Sequence, residues 1–118
     1  MTPQMVIAAI DIGTNSTHMV VARITPSGFE GITREKSQTR LGEGGGDMKE
    51  LSAAAMERGI TALRHMKKIA DAHSAHIVAV ATSAVREANN ADEFVKRAHN
   101  EAGIDIEVIS GLEEARLI

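Results

Sequence analysis

The sequence contains no cysteine, tryptophan or tyrosine, and Phe29 and Phe94 are its only phenylalanines. Without cysteine the chain forms no disulfide, uses no thiolate nucleophile and offers no sulfur ligand to zinc. Two phenylalanines cannot supply the base-stacking platforms of single-strand-binding proteins. These absences predict a protein of the reducing cytoplasm that does not bind nucleic acid.

An excess of positive charge and a long hydrophobic run are also missing. Thirteen basic and sixteen acidic residues give a net charge of −3, so neither nucleic acid nor an anionic membrane is a favoured partner. The longest apolar run, residues 5–10, has six residues, whereas a membrane-spanning helix needs about 20. The first residues lack the basic region and cleavage site of a signal peptide. We therefore expect a soluble protein that is not secreted.

The first 40 of the 118 residues predict three consecutive antiparallel strands. Residues 5–10 are apolar on both parities, which is typical of a central strand covered on both faces. Residues 18–24 resume an extended pattern after a polar turn, so the two segments form a β-hairpin. Residues 29–40 carry the charges expected of an edge strand.

The remaining sequence alternates helices and strands. Residues 51–72 have apolar side chains at helical spacing, with Ser52 as the expected N-cap. Residues 77–81 are apolar on both parities and predict a parallel neighbour of the first strand. A capping box at Asn90 predicts a second helix that ends at Gly103. Residues 104–108 then alternate as a further parallel strand.

This order, β-β-β-α-β-α-β, predicts an α/β fold with a mixed five-stranded sheet and helices on its faces. A second capping box opens a final helix at Ser110, but the sequence ends within nine residues on Leu117 and Ile118 without a helix stop signal. We therefore expect the 118 residues to be part of a longer chain.

The segment Asp-Ile-Gly-Thr-Asn-Ser between the first two strands is the clearest candidate site. Gly13 with the small polar residues Thr14, Asn15 and Ser16 can direct several backbone N–H groups into one concavity that suits phosphate oxygens. Asp11 would lie beside the anion and could hold a divalent metal, for Mg²⁺ usually through water. The alternative is an ordinary hairpin turn in which Asp11 bonds its own backbone.

Two consecutive carboxylates follow Ser110. Glu113 is the capping-box partner of Ser110, and this leaves Glu114, about 100° further round the helix, free to activate a water molecule. The alternative is that both carboxylates only complement the helix dipole.

Arg86 follows the end of a predicted buried strand, where ligands of open α/β sheets bind. Its guanidinium could clamp a phosphate at two points, or it could form a surface ion pair with Glu87 or Asp92. The glycine-rich residues 42–46 lack the Gly-Lys-Ser/Thr of a P-loop and include the acidic Glu43, so a flexible loop is favoured there.

Three segments carry a family resemblance. Residues 6–23 resemble the first phosphate loop of the actin, Hsp70 and sugar kinase superfamily, and the form Gly-Thr-Asn-Ser is that of the exopolyphosphatase and guanosine pentaphosphate phosphohydrolase (Ppx/GppA) family. Residues 81–88 and 108–118 resemble two further signatures of the same family in the same order.

The resemblance implies an N-terminal lobe with the ribonuclease H-like fold of the actin-like ATPases. It implies Mg²⁺-dependent hydrolysis of a terminal phosphoanhydride of polyphosphate or of guanosine pentaphosphate. Glu114 would be the general base, Asp11 would position the metal, and Arg86 with the amides of residues 13–16 would hold the phosphoryl oxygens.

The second phosphate loop of that family is not in this sequence, so we expect the 118 residues alone to be inactive. The resemblance implies a homodimer for the full-length protein. A kinase of the same superfamily and a non-catalytic sensor of polyphosphate or an alarmone are alternative functions.

Overall fold

The computed structural model describes residues 5–43 and 49–109. Five strands form one mixed sheet in the order β3-β2-β1-β4-β5, which confirms the predicted fold class. β1 pairs antiparallel with β2 and parallel with β4, so it is central, and β3 is an edge strand as predicted. The strands are β1 (Val6–Ile12), β2 (Thr17–Thr25), β3 (Gly28–Ser37), β4 (His76–Ala81) and β5 (Ile106–Val108).

Helices connect the parallel strands. α1 joins β3 to β4, and α2, α3 and a π-helical turn join β4 to β5; these are α1 (Ala53–Ala72), α2 (Ser83–Glu87), α3 (Ala91–Arg97) and the turn Ala98–Ala102. The five-residue α2 was not predicted, because so short a helix has no amphipathic period. In the described part of the chain we find no helix that combines the length and apolar character needed to cross a membrane.

One face of the sheet holds the core. Ala8, Ile10 and Ile12 of β1 are buried there in one cluster with side chains of α1 and α3. The prediction that β1 is covered on both faces was wrong for the described residues, since Ala9 and Asp11 are exposed on its other face. The apolar residues at both odd and even positions of β1 were misleading because, in the described part of the chain, the helices pack against only one face of the sheet.

The helix termini show which end signals were correct. The Ser52 hydroxyl accepts a hydrogen bond from the Ala55 N–H (3.1 Å), and Gly103 ends the π-helical turn with φ 69°, both as predicted. The capping box at Asn90 was wrong, because its side chain makes no cap. Instead Asn90 accepts from the Leu51 N–H (2.8 Å) and donates to the Leu51 carbonyl (2.9 Å), and this ties the start of α3 to the start of α1.

Arg97 connects the end of α3 to its neighbours. It donates hydrogen bonds to Glu101 and forms an ion pair with Glu57 of α1. These contacts raise the pKa of Arg97, and the hydrogen bond from Arg97 lowers the pKa of Glu101. Both carboxylates are exposed and Arg97 is half-buried, so solvent screening keeps the contribution of these ion pairs to stability small.

α1 and α3 approach each other at a glycine. A Cβ on Gly59 would lie 2.8 Å from Cε1 of Phe94 and 3.1 Å from Cδ2 of Leu41. Phe94 is fully buried, so its ring occupies the space that a side chain at position 59 would need. Glycine in a helix costs about 1 kcal/mol relative to alanine, and close packing of the Phe94 ring explains why it stands here.

We predict that Gly59→Ala lowers the free energy of unfolding by about 1–3 kcal/mol, because the clash with Phe94 outweighs the gain in helix propensity. Urea and thermal denaturation of the purified protein would measure this. Gly31→Ala is the control, because a Cβ at Gly31 meets nothing within 4 Å and stability should be unchanged. A Gly59→Ala variant as stable as the wild type would contradict the packing argument.

Candidate functional site

The predicted site segments meet at one edge of the sheet, where the parallel strands β1, β4 and β5 end together. The Thr82 N–H donates to the Ile12 carbonyl (3.1 Å), and the Ile109 N–H donates to the Ala81 carbonyl (3.1 Å). These hydrogen bonds continue the sheet past the strand ends. In open α/β sheets, ligands bind at this carboxyl edge.

The turn between β1 and β2 is short and closed on itself. The Gly13 N–H donates to the Ser16 carbonyl (3.0 Å), and a Cβ on Gly13 would lie 3.1 Å from that oxygen. Gly13 therefore permits the close approach of the chain in this turn, and its own N–H is hydrogen-bonded inside the turn. The amides of Thr14, Asn15 and Ser16 make no backbone hydrogen bond to another described residue, so these three can meet a ligand. We call residues 13–16 the phosphate loop.

Asp11 lies near the end of β1 on the exposed face of the sheet. Its neighbours across the strands are His18 of β2 and Val80 of β4. Within residues 5–43 and 49–109, no group of three or more His, Asp or Glu side chains could hold a metal unaided. One carboxylate suits Mg²⁺ that takes its other ligands from water and a bound phosphate.

Arg86 lies on α2 at the same edge. Its Nη1 donates to the carbonyl of Ile109, which directly follows β5 (3.2 Å). The half-buried guanidinium is thus directed along the line of strand ends, from α2 towards the end of β5. Arg86 and the phosphate loop thus lie at the same edge of the sheet, and their joint binding of phosphate stays a prediction.

Ser83 joins α2 to the phosphate loop and was not predicted as a site residue. The Thr14 hydroxyl donates to the Ser83 hydroxyl (3.3 Å). Both residues line a cleft of about 220 Å³, together with Gly42, Lys49 and Glu87. The signal in the sequence was a pair of hydroxyl residues, Thr82 and Ser83, directly after a strand end.

Residues 38–42 run behind the phosphate loop. The Arg40 N–H donates to the Asn15 carbonyl (2.9 Å), and the Gly42 N–H donates to the Thr14 carbonyl (3.1 Å). A Cβ on Gly42 would lie only 2.7 Å from Cγ2 of Thr14. The glycine-rich segment was predicted to be a flexible loop, but its first residue packs directly on the phosphate loop; residues 44–48 lie outside the described residues.

A larger cleft of about 540 Å³ lies between β3 and α1. It is lined by mixed polar residues such as Glu35, Lys36 and His65 and contains no predicted site residue. Because the predicted phosphate-binding residues lie at the strand ends, the candidate site is that edge of the sheet rather than this larger cleft.

The predicted general base and the capping box before it lie outside the described part of the chain. Ser110, Glu113 and Glu114 all follow residue 109, where the description ends. The role of Glu114 as a general base therefore stays a prediction.

The chain was compared with known families and solved structures. The model of the Ppx/GppA phosphatase family matches residues 20–118. The crystal structure of the Aquifex aeolicus member of that family is 35% identical with a TM-score of 0.90, over 97% of this chain and 38% of its own. An exopolyphosphatase from Cytophaga hutchinsonii is 36% identical with a TM-score of 0.93, over 97% of this chain and 37% of its own.

The sequence thus spans less than two fifths of these solved relatives. The likeness nevertheless covers nearly all of this chain, at an identity well above the level at which only a fold is shared. The chain belongs to the Ppx/GppA phosphatase family.

Proposed function

We propose that the protein hydrolyses the terminal phosphoanhydride bond of inorganic polyphosphate, or of guanosine pentaphosphate to leave the tetraphosphate, and releases orthophosphate. One observation carries this proposal: the amides of Thr14, Asn15 and Ser16 and the guanidinium of Arg86 lie at one carboxyl edge of the sheet. Family membership supports it, as does the similarity to the exopolyphosphatase from Cytophaga hutchinsonii.

Transfer of a phosphoryl group to water needs in-line positioning and neutralisation of charge on the phosphoryl oxygens. The loop amides would donate to those oxygens, and Arg86 would clamp one phosphate from the side of α2. Asp11 would hold Mg²⁺, which supplies charge neutralisation when bound. Glu114 would accept a proton from the attacking water.

Arg86→Lys should lower kcat/KM for polyphosphate by about 10- to 100-fold, because lysine keeps the charge but loses the two-point hydrogen bonding of the guanidinium. Steady-state phosphate release by the natural protein measures this. Arg34→Lys is the matched control, since Arg34 is exposed on β3, and its activity should equal that of the wild type. Equal activity of the two variants would remove Arg86 from the site.

Glu114→Gln should lower kcat by about 10²- to 10⁴-fold while the melting temperature is kept, because the amide cannot accept the proton. Glu113→Gln is the control, since glutamine also serves in a capping box and should retain activity. If the two variants lost activity equally, Glu114 would not be the specific base.

The 118 residues alone should release phosphate from polyphosphate negligibly, because their described part supplies a single phosphate loop to one side of a ligand. Phosphate release is compared at equal concentration with that of the natural protein, and calorimetry with triphosphate measures binding. An enzyme-like rate from the 118 residues would overturn this.

Binding without turnover in the natural protein would favour a sensor, and transfer of label from ATP to an acceptor would favour a kinase.

A further inference from the structure

We infer that Arg58 is a positioning residue for the phosphate loop: through residues 38–42 it fixes the direction in which the loop amides point. This inference deepens the proposed function and rests on the phosphate loop being where the substrate's phosphate binds. Arg58 lies on α1 and acts through two layers of hydrogen bonds. The first runs from its side chain to backbone carbonyls, and the second joins backbone groups to each other.

The first layer joins Arg58 to the segment behind the loop. Its Nε donates to the Thr39 carbonyl (2.8 Å), and its Nη2 donates to the Arg40 carbonyl (3.0 Å). Two neighbouring carbonyls are therefore held by one planar cation. Charge-assisted hydrogen bonds are stronger than neutral ones, and the rigid guanidinium fork fixes the two acceptors relative to each other.

Arg40 needs such support because its backbone is in the left-handed region, with φ 47°. This conformation is unfavourable for a residue with a side chain and persists where surrounding contacts impose it. The hydrogen bonds from Arg58 to the carbonyls on both sides of the Arg40 Cα, at Thr39 and at Arg40 itself, impose it here together with a hydrogen bond from the Glu43 N–H to the Arg40 carbonyl (3.1 Å). Arg58 thereby holds the bend that turns the chain from β3 towards the phosphate loop.

The second layer joins this bend to the loop. The Arg40 N–H holds the Asn15 carbonyl and the Gly42 N–H holds the Thr14 carbonyl. In a trans peptide the C=O and the following N–H point in opposite directions. Fixing the Thr14 carbonyl therefore turns the Asn15 N–H away from residues 38–42, and fixing the Asn15 carbonyl does the same for the Ser16 N–H.

Side chains reinforce the same contact. The hydroxyls of Thr17 and Thr39 are hydrogen-bonded to each other (3.0 Å), and both residues are buried. The Ser16 hydroxyl donates to Oε1 of Gln38 (3.3 Å). The segment and the loop thus move as one unit, and Arg58 anchors that unit to α1.

The test compares Arg58→Met and Arg58→Lys with Arg64→Met in the natural protein. Arg64 is exposed on the same helix, so Arg64→Met removes the same charge without touching residues 38–42. Polyphosphate KM and kcat are measured well below the melting temperature of each variant. Amide hydrogen exchange is measured at Arg40 and Gly42, whose N–H groups hold the loop.

Arg58→Met should raise KM about tenfold, because the cost of ordering the loop amides, comparable to one charge-assisted hydrogen bond, would then be drawn from the free energy of substrate binding. It should change kcat much less and speed exchange at both amides. Arg58→Lys should fall between Arg58→Met and the wild type, because one ammonium can bond a carbonyl but cannot span both with a rigid fork. Arg64→Met should match the wild type.

The inference is overturned if Arg58→Met only lowers the melting temperature while KM and the exchange rates stay at wild-type values. It is also overturned if Arg64→Met raises KM as much, since the effect would then be one of net charge. A wild type that releases no phosphate would refute the proposed function; the exchange rates and calorimetry with triphosphate would still decide whether Arg58 orders the loop. Unchanged exchange and unchanged binding would then reject the inference.

Discussion

A peptide group cannot turn its N–H towards a ligand without turning its C=O the opposite way, and the site of this protein depends on that constraint. The phosphate loop can present the Asn15 and Ser16 amides only if the preceding carbonyls find donors behind them. Arg40 and Gly42 supply those donors. The chain leaving β3 must therefore pass directly behind the β1–β2 turn, and the meander of three antiparallel strands brings it there.

The parallel half of the sheet places the other groups of the site. Because β1, β4 and β5 run in one direction, their carboxyl ends lie at one edge. Asp11 near the end of β1, and Ser83 and Arg86 after the end of β4, thus share that edge although the two strand ends are far apart in the sequence. The Thr14–Ser83 hydrogen bond connects the two halves of the site. The antiparallel strands shape the phosphate loop, and the parallel strands bring α2 to it.

What the sequence could predict was local. The order of the strands, the Ser52 cap and the helix end at Gly103 were predicted from patterns a few residues long, and all three were correct. The apolar pattern of β1 was misleading only about its second face. Asn90, Gly59 and Arg58 instead depend on partners far along the chain. Asn90 bonds a residue 39 positions away, and Arg58 bonds carbonyls 19 and 18 positions away. These residues look ordinary in sequence, because the ring that Gly59 accommodates and the backbone groups that Asn90 and Arg58 bind leave no local pattern.

For a chain of net charge −3, the proposed polyanionic substrate makes the orientation of amides more important than the number of cations. Arg86 directs its side chain along the strand ends at this edge, Lys49 lines the adjoining cleft, and a metal held by Asp11 would add further charge. Within the described residues, N–H dipoles of the phosphate loop would add attraction, and such dipoles help only when they are already oriented before the ligand arrives. A cation such as Arg58 thus contributes most by ordering the phosphate loop from behind, where it need not touch phosphate at all.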